Sequence, residues 1–145
     1  MKSDKKFNCT IEASMCFIGG KYKPIILWHL IDGEKRFSEL QRLIPQATAH
    51  TLTLQLRELE QDQLIHREVY PIVPPKTEYS MTELGKTLIP LITELREWGR
   101  YYFEYTHQPN PCEQELTNDI EMVETTSVAE TGTAGIAPRR PVPYA

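Results

Sequence analysis

The most regular alternation of hydrophobic and polar positions lies between residues 48 and 62. Leu52, Leu56 and Leu59 recur there at intervals of four and three residues, which is the spacing of one buried face of an α-helix. The opposite face of this predicted helix mixes hydrogen-bond donors, a cation and one apolar tip. Such a mixture suits contact with the edges of nucleic-acid bases. The residues on this outward face are His50, Thr53, Leu54 and Arg57.

A shorter helix is predicted directly before this one. Its apolar side consists of Phe37, Leu40 and Ile44. We expect Ser38 to be its N-cap, with Gln41 completing a capping box. Pro45 should end it, because proline lacks the backbone N–H and disfavours helical angles in the preceding residue. Thr48 is then placed to cap the second helix, and two helices joined in this way form a helix-turn-helix.

Two further helices are predicted upstream. The first covers residues 9–18 and is broken by Gly19 and Gly20. Pro24 fits the first turn of the next helix, where its missing N–H costs nothing. Residues 25–31 (IILWHLI) are apolar on nearly every side, which places this second helix at the centre of the core. The inner side of the first helix should carry Ile11, Met15 and Ile18.

Two strands are predicted after the helix-turn-helix. Residues 64–70 (LIHREVY) alternate like a half-buried strand, and residues 76–81 (KTEYSM) form a second strand. The proline-rich residues 71–75 connect them. A β-hairpin that directly follows a recognition helix is a wing. Because two strands alone are marginally stable in water, this hairpin must pack on the helices.

The last predicted element is a long helix that Thr82 should cap. Its apolar residues step by 4, 3, 4 and 3, which is a heptad seam, and Pro90 inside it should kink it or locally break its hydrogen bonding. An aromatic cluster follows, and so much apolar surface is more than one small core covers. We therefore expect a dimer through this helix. The seam is Leu84, Leu88, Leu91, Leu95 and Trp98, and the cluster is Tyr101, Tyr102, Phe103 and Tyr105.

Charge divides the chain into two parts. Residues 1–107 carry 14 Lys and Arg against 14 Asp and Glu, whereas residues 108–145 carry 2 against 6. A neutral domain does not by itself indicate nucleic acid, so a basic patch has to come from local arrangement. The composition of residues 108–145, rich in Pro, Thr, Glu and Gly, predicts a disordered acidic tail. A weak amphipathic helix within it would use Leu116, Ile120 and Val123.

Three cysteines are an odd number and too few for a disulfide framework. The sequence shows no signal peptide and no apolar run that would span a bilayer, so we expect a cytoplasmic protein with reduced thiols. Cys9 stands at a predicted helix start, whose partial positive charge favours a thiolate; Cys16 and Cys112 have no such setting. We find no zinc-ligand spacing, no cofactor motif and no catalytic constellation.

Three strings carry a resemblance to a known family. The strings IGGKYKPIILWHL, RFSELQRLIP and LTLQLRELEQDQLIHREVYPIVPPKTEYSMTELG resemble the HxlR-type (DUF24) winged-helix regulators, distant relatives of the MarR regulators, over roughly residues 9–98. The resemblance implies a homodimer, joined through its first and last helices, that binds inverted repeats in DNA. In some members a cysteine before the first helix senses disulfide stress, quinones or aldehydes, and Cys9 stands at that place. His50, Leu54 and Thr10 differ from common residues of the family.

The sequence therefore predicts an α+β winged helix-turn-helix with about five helices, a two-stranded wing and a long dimerisation helix. The expected function is sequence-specific transcriptional regulation on double-stranded DNA, with a small electrophile or thiol as possible effector. The open alternative is a protein-interaction module, which the neutral charge favours. The DNA candidates are Arg36, Thr48, His50, Thr51, Thr53, Leu54, Arg57 and Lys76; the dimer candidates are Ile11, Met15, Leu91, Leu95, Trp98 and Tyr102.

Overall fold

The computed structural model describes residues 5–112, which form six helices and three strands. In chain order they are α1 (Thr10–Ile18), α2 (Lys23–Leu30), β1 (Lys35–Arg36), α3 (Phe37–Leu43), α4 (Ala49–Gln61), β2 (Ile65–Tyr70), β3 (Lys76–Met81), α5 (Glu83–Lys86) and α6 (Ile89–Tyr105). The mixed helix and sheet architecture predicted from the sequence is confirmed. Residues 1–4 and 113–145, including the predicted tail helix, lie outside the described residues.

The core is built where the hydrophobic pattern places it. Helix α4 buries one leucine face, and α2 and α3 supply apolar side chains that pack against it. The start of β2 and Ile92 of α6 complete the same cluster. Its fully buried side chains are Ile26, Leu27, Leu40, Ile44, Leu52, Leu56, Leu59 and Ile65.

The sheet has three strands rather than the predicted two. All pairs are antiparallel, in the order β1-β3-β2, so β3 is the central strand. The β2–β3 hairpin is confirmed, with Ile65 opposite Met81 and Tyr70 opposite Lys76. Strand β1 is only two residues long. Two residues are too few to show an alternation of hydrophobic and polar positions, so the sequence pattern did not predict its pairing with β3.

The predicted Ser38 cap of α3 is wrong. The N-cap is Arg36, two residues earlier, and the helix begins at Phe37. The Arg36 backbone N–H donates to Glu39 Oε2 at 2.7 Å. Because Arg36 also ends β1, strand pairing fixes the helix start. At Ile44, just before Pro45, α3 ends as predicted, and Thr48 caps α4.

A long C-terminal helix is present as predicted, but it is α6, which begins at Ile89 and not after Thr82; the short helix α5 precedes it. Thr82 caps the short α5, donating its hydroxyl to the Gln63 carbonyl at 2.6 Å and accepting the Gly85 N–H at 3.0 Å. A side chain at Gly85 would meet the Leu64 carbonyl oxygen 2.0 Å from its Cβ, so α5 needs glycine there. Pro90 lies in the first turn of α6 and does not kink it. The predicted heptad seam is therefore not continuous.

Helix α1 also differs from its predicted orientation. Cys9 is its N-cap, and of the three predicted inner residues only Ile18 is buried. Ile11 and Met15 are exposed in the single chain. No helix within residues 5–112 is long and apolar enough to cross a membrane.

Two leucines of α4 test this packing directly. Leu56 is 1% exposed and Leu54 is 42% exposed. We expect Leu56→Ala to lower the free energy of unfolding by about 2–5 kcal/mol, because a buried leucine leaves a cavity. Leu54→Ala, the matched control two residues earlier, should change it by less than about 1 kcal/mol. Urea unfolding measures both values, and equal losses would contradict the assigned faces.

Candidate nucleic-acid interface

The start of α4 is fixed by one hydroxyl. Thr48 Oγ1 accepts the Thr51 backbone N–H at 3.1 Å and donates to Thr51 Oγ1 at 2.9 Å. The backbone N–H groups of Ala49 and His50 lie in the first turn, where a helix has no acceptor of its own for them. This exposed helix start can therefore offer N–H donors to an anion such as a DNA phosphate.

The predicted outward face of α4 has the side chains on the expected side. His50, Leu54 and Arg57 are exposed, while Thr53 is half-buried. The Thr53 hydroxyl donates to the Ala49 carbonyl at 2.7 Å, so its oxygen is better placed to accept than to donate. Arg57 and Leu54 lie together on this face. The arginine guanidinium can hydrogen-bond guanine, and the leucine side chain can pack on a thymine methyl group.

An ion pair with a buried lysine links α4 to α2. Lys23 Nζ lies 2.5 Å from Glu58, and the lysine side chain is only 5% exposed, whereas that of Glu58 is 47% exposed. Burial removes Lys23 from the surface that can contact a phosphate. A buried charge is tolerated only when it is paired. This pair therefore restrains the rotation of α4 on α2.

The wing carries its cations on the strands and none in the loop. The β2–β3 loop, residues 71–75, has Val73 at its centre, 99% exposed, and contains no charged side chain. Lys76 stands at the start of β3, with Nζ 4.9 Å from the centroid of the Tyr70 ring. Arg36 lies on β1, directly opposite Glu78 of β3. Lys76 and Arg36, the two wing residues predicted to contact DNA, therefore both lie beside the carboxylate of Glu78.

That carboxylate is held by several neighbours. Glu78 Oε1 lies 2.6 Å from Lys76 Nζ and 3.9 Å from Arg36 Nε. A hydrogen bond from Lys76, and others with Glu34 and Tyr70, hold the pKa of Glu78 below its ordinary value. The hydrogen bond and the negative charge of Glu78 raise the pKa of Glu34. Two carboxyl groups and two cations thus form one network at the sheet.

Sequence reasoning did not identify Glu34 or Glu78. Their meeting depends on the pairing of β1 with β3, two segments about forty residues apart along the chain. The one local indication was the alternation in KTE, which puts Lys76 and Glu78 on the same face of a strand.

The dimer candidates lie on two helices. On α6, Leu91, Leu95, Trp98 and Tyr102 are all exposed in the single chain. The Trp98 and Tyr102 rings stack with centroids 5.9 Å apart, and Trp98 is 65% exposed. On α1, Ile11 and Met15 add a second exposed apolar patch.

Cys9 is exposed at the start of α1. Its Sγ accepts the Glu12 backbone N–H at 3.3 Å, so the sulfur itself caps the helix. Among residues 5–112, no group of three His, Cys, Asp or Glu side chains is arranged to hold a metal ion.

Comparison with known proteins gives close relatives. The uncharacterized HTH-type transcriptional regulator YdeP of Bacillus subtilis is 56% identical over 100 residues, covering 69% of this chain and 78% of YdeP. The solved structure of the redox regulator HypR in its oxidized form superimposes with a TM-score of 0.63 at 54% identity, covering 64% of this chain and 96% of HypR. The reduced form gives 0.65 at 49% identity, over 68% and 98%.

A chain from Porphyromonas gingivalis W83 that is assigned to the MarR family also matches, with a TM-score of 0.63 at 33% identity, covering 66% of this chain and 94% of that one. The fold is therefore a winged helix-turn-helix. Residues 17–107 match the HxlR-like helix-turn-helix family itself, which includes both helices of the motif, the wing and α6. The chain belongs to the HxlR-like helix-turn-helix family of transcriptional regulators.

Proposed function

We propose that this regulator binds an inverted-repeat operator as a homodimer, with α4 in the major groove and the wing on the adjacent backbone. The observation that carries the proposal is the exposed face of α4, next to a sheet that carries Arg36 on β1 and Lys76 on β3. Arg57 reads a base, because its guanidinium can donate twice to guanine. Leu54 packs on a thymine methyl group, and His50 reaches a neighbouring base edge.

Phosphate contacts position the protein on the duplex. Thr48 and Thr51 lie at the start of α4, where the helix N–H groups favour an anion. Arg36 on β1 and Lys76 on β3 are the further phosphate contacts. Because residues 1–107 are neutral overall, binding depends on these individual contacts and not on the net charge of the domain.

The two-fold symmetry comes from α1 and α6. Their exposed apolar side chains are too many to leave in water, and a second copy of the chain would cover them. Two α4 helices about 34 Å apart would then meet successive turns of the major groove. We assign residues 1–107 to this DNA-binding domain, residues 108–145 to a tail, and the protein to the cytoplasm.

Cys9 is the proposed thiol switch. The likeness to HypR, solved in oxidized and reduced forms, supports a redox response, and the exposure of Cys9 supports access by an effector. Only a thiolate reacts readily with an electrophile or a disulfide. A mixed disulfide with a small thiol, or a bridge to a cysteine of the partner chain, would change the packing of α1. The bridge requires Cα atoms within about 7 Å.

The alternative function, a protein-interaction module without specific DNA binding, rests on the neutral charge of residues 1–107. A gel shift with the upstream region of the protein's own gene separates the two functions. A shifted band that survives excess random duplex supports the regulator. No shift at micromolar protein supports the interaction module.

Two variants should distinguish residues that contact bases from residues that contact the DNA backbone. We expect Arg57→Ala to change the preference at one base pair by about 1–3 kcal/mol, because it removes a base contact. Lys76→Ala should weaken all sequences alike and flatten the salt dependence by about one unit, because a phosphate contact releases a counterion. Fluorescence anisotropy over a salt series measures both. Lys86→Ala, which removes a cation outside the proposed interface, is the control. Equal losses on specific and random DNA for Arg57→Ala and Lys76→Ala would show that the roles are wrongly assigned.

The dimer proposal predicts a concentration-dependent change at Trp98. Since Trp98 is 65% exposed in the single chain, Trp98→Ala should leave the protomer folded. It should weaken dimerisation by about 30-fold, or roughly 2 kcal/mol, as expected for a central interface tryptophan. Sedimentation measures this, with Val73→Ala in the exposed wing loop as control. A wild-type monomer at micromolar concentration contradicts the proposal.

The thiol switch predicts a difference between two proteins under one treatment. Diamide or a quinone should alter the operator affinity of the wild type by about tenfold or more, because repacked α1 helices misplace α4 relative to the DNA repeat. Cys9→Ser should respond much less, and Cys16→Ser should respond like the wild type. If wild-type affinity is unchanged, or if Cys9→Ser responds as strongly, Cys9 is not the switch.

A further inference from the structure

Glu78 stands at the centre of the outer face of the sheet. It belongs to the central strand β3, so it has a cross-strand neighbour on each side: Arg36 on β1 and Glu68 on β2. Lys76 precedes it by two residues and therefore lies on the same face. The two proposed phosphate contacts of the wing, Arg36 and Lys76, both border one oxygen of this carboxylate.

The Lys76–Glu78 pair is shielded from solvent more than an ordinary surface pair. The side chains are 27% and 15% exposed, with Nζ and Oε1 separated by 2.6 Å. The Tyr70 ring covers Lys76 Nζ from β2 at 4.9 Å. Exposed pairs are weakened by water and salt, whereas partly buried pairs are screened much less. Lys76 is therefore held in the sheet face at moderate salt.

The charge of Glu78 persists because of its neighbours. A hydrogen bond from Lys76 and further hydrogen bonds with Glu34 and Tyr70 keep the pKa of Glu78 low. The carboxylate therefore stays ionised throughout the neutral range. Glu34 and Glu68 add two more carboxyl groups around the same position, and His66 is paired with Glu68 at 2.8 Å.

We propose that Glu78 limits the phosphate-dependent affinity of the DNA interface: it competes with the DNA backbone for Lys76 and Arg36, and so weakens binding to operator and non-operator sequences alike. The inference rests on the proposed function, in which Lys76 and Arg36 contact phosphates. A phosphate must replace Glu78 as the partner of these cations before the wing can engage the duplex.

The penalty applies to every complex in which these cations contact phosphates. Non-specific binding comes almost entirely from phosphate contacts. Operator binding adds base contacts from α4 to the same phosphate contacts. Glu78 therefore lowers the affinity for both kinds of DNA by a similar factor, and the ratio of the two affinities stays nearly unchanged.

The test is Glu78→Gln in the full-length protein. The probes are a duplex selected by the wild type from a randomised library and a scrambled duplex of the same length and base composition. We expect affinity for the scrambled duplex to rise by about three- to tenfold, and its salt dependence to steepen by about one unit for each released cation. Affinity for the selected duplex should rise by a similar factor, because Lys76 and Arg36 contact phosphates in both complexes.

Glu68→Gln is the matched control. It removes the same charge from the same face, directly opposite Glu78, but its carboxylate pairs with His66 and not with Lys76 or Arg36. We expect little change in its salt dependence on the scrambled duplex. If Glu68→Gln has the same effect as Glu78→Gln, general charge and not partner competition is responsible, and the proposal is overturned.

The double variant Glu78→Gln/Lys76→Ala identifies the partner. The gain on the scrambled duplex should fall by at least half relative to Glu78→Gln, because one of the two released cations is gone. A gain that is fully retained overturns the competition for Lys76. Equal weakening of both duplexes by Glu78→Gln also overturns the proposal, since Glu78 would then orient the cations toward DNA. Should Glu78→Gln fail to fold by circular dichroism, Glu78→Asp carries the same test, with a smaller gain expected from its shorter side chain.

Two variants separate an error in the competition by Glu78 from an error in the proposed function, the phosphate contact of Lys76. If Lys76→Ala leaves the salt dependence on the selected duplex unchanged, the phosphate role of Lys76 is wrong. If Lys76→Ala flattens that dependence while Glu78→Gln leaves the scrambled duplex unaffected, only the competition by Glu78 is wrong.

Discussion

Burial of the leucine face of α4 is the constraint on which the rest of the site depends. Leu52, Leu56 and Leu59 are all essentially inaccessible, and a helix has 3.6 residues per turn. Once these three side chains point into the core, Leu54 and Arg57 must point away from it. The DNA-facing surface is thus the geometric complement of the core surface. Rotating α4 by one residue would bring an arginine toward an apolar interior without a partner.

Helix packing alone leaves some freedom of rotation, and polar contacts reduce it. Lys23 is buried on α2 and paired with Glu58 on α4. Thr48 fixes the first turn of the same helix through Thr51. One restraint acts near the end of α4 and the other at its start. Together they hold the reading face as a rigid surface, which base recognition requires because hydrogen-bond geometry tolerates little displacement.

Local patterns predicted the recognition element well, and long-range pairing explains what they missed. The leucine period, the Thr48 cap and the β2–β3 hairpin depend on residues close in sequence. The Arg36 cap of α3 and the Arg36–Glu78 contact depend on β1 pairing with β3. The sequence predicted a capping box of Ser38 and Gln41, whereas the structure has Arg36 as the N-cap with Glu39, because the strand pairing fixes the residue at which α3 begins. In the same way, the heptad spacing extended across the break between α5 and α6, where Pro90 has no backbone N–H with which to continue the first helix into the second. The network around Glu78 had no indication in the sequence beyond the spacing of Lys76 and Glu78, which puts both side chains on one face of a strand.

The same coupling between local and distant contacts gives the proposed switch a physical route. Cys9 does more than display a thiol, because its sulfur accepts the Glu12 N–H and caps α1. A thiol that becomes a disulfide or a thioether changes its size and its direction, so the cap contact cannot be kept unchanged. The first turn of α1 also carries Ile11, one of the exposed apolar residues of the proposed dimer surface. Chemistry at one sulfur atom would therefore act on helix geometry and on an interface at once. In a two-fold dimer both protomers shift together, and the spacing of the two α4 helices is the quantity that changes.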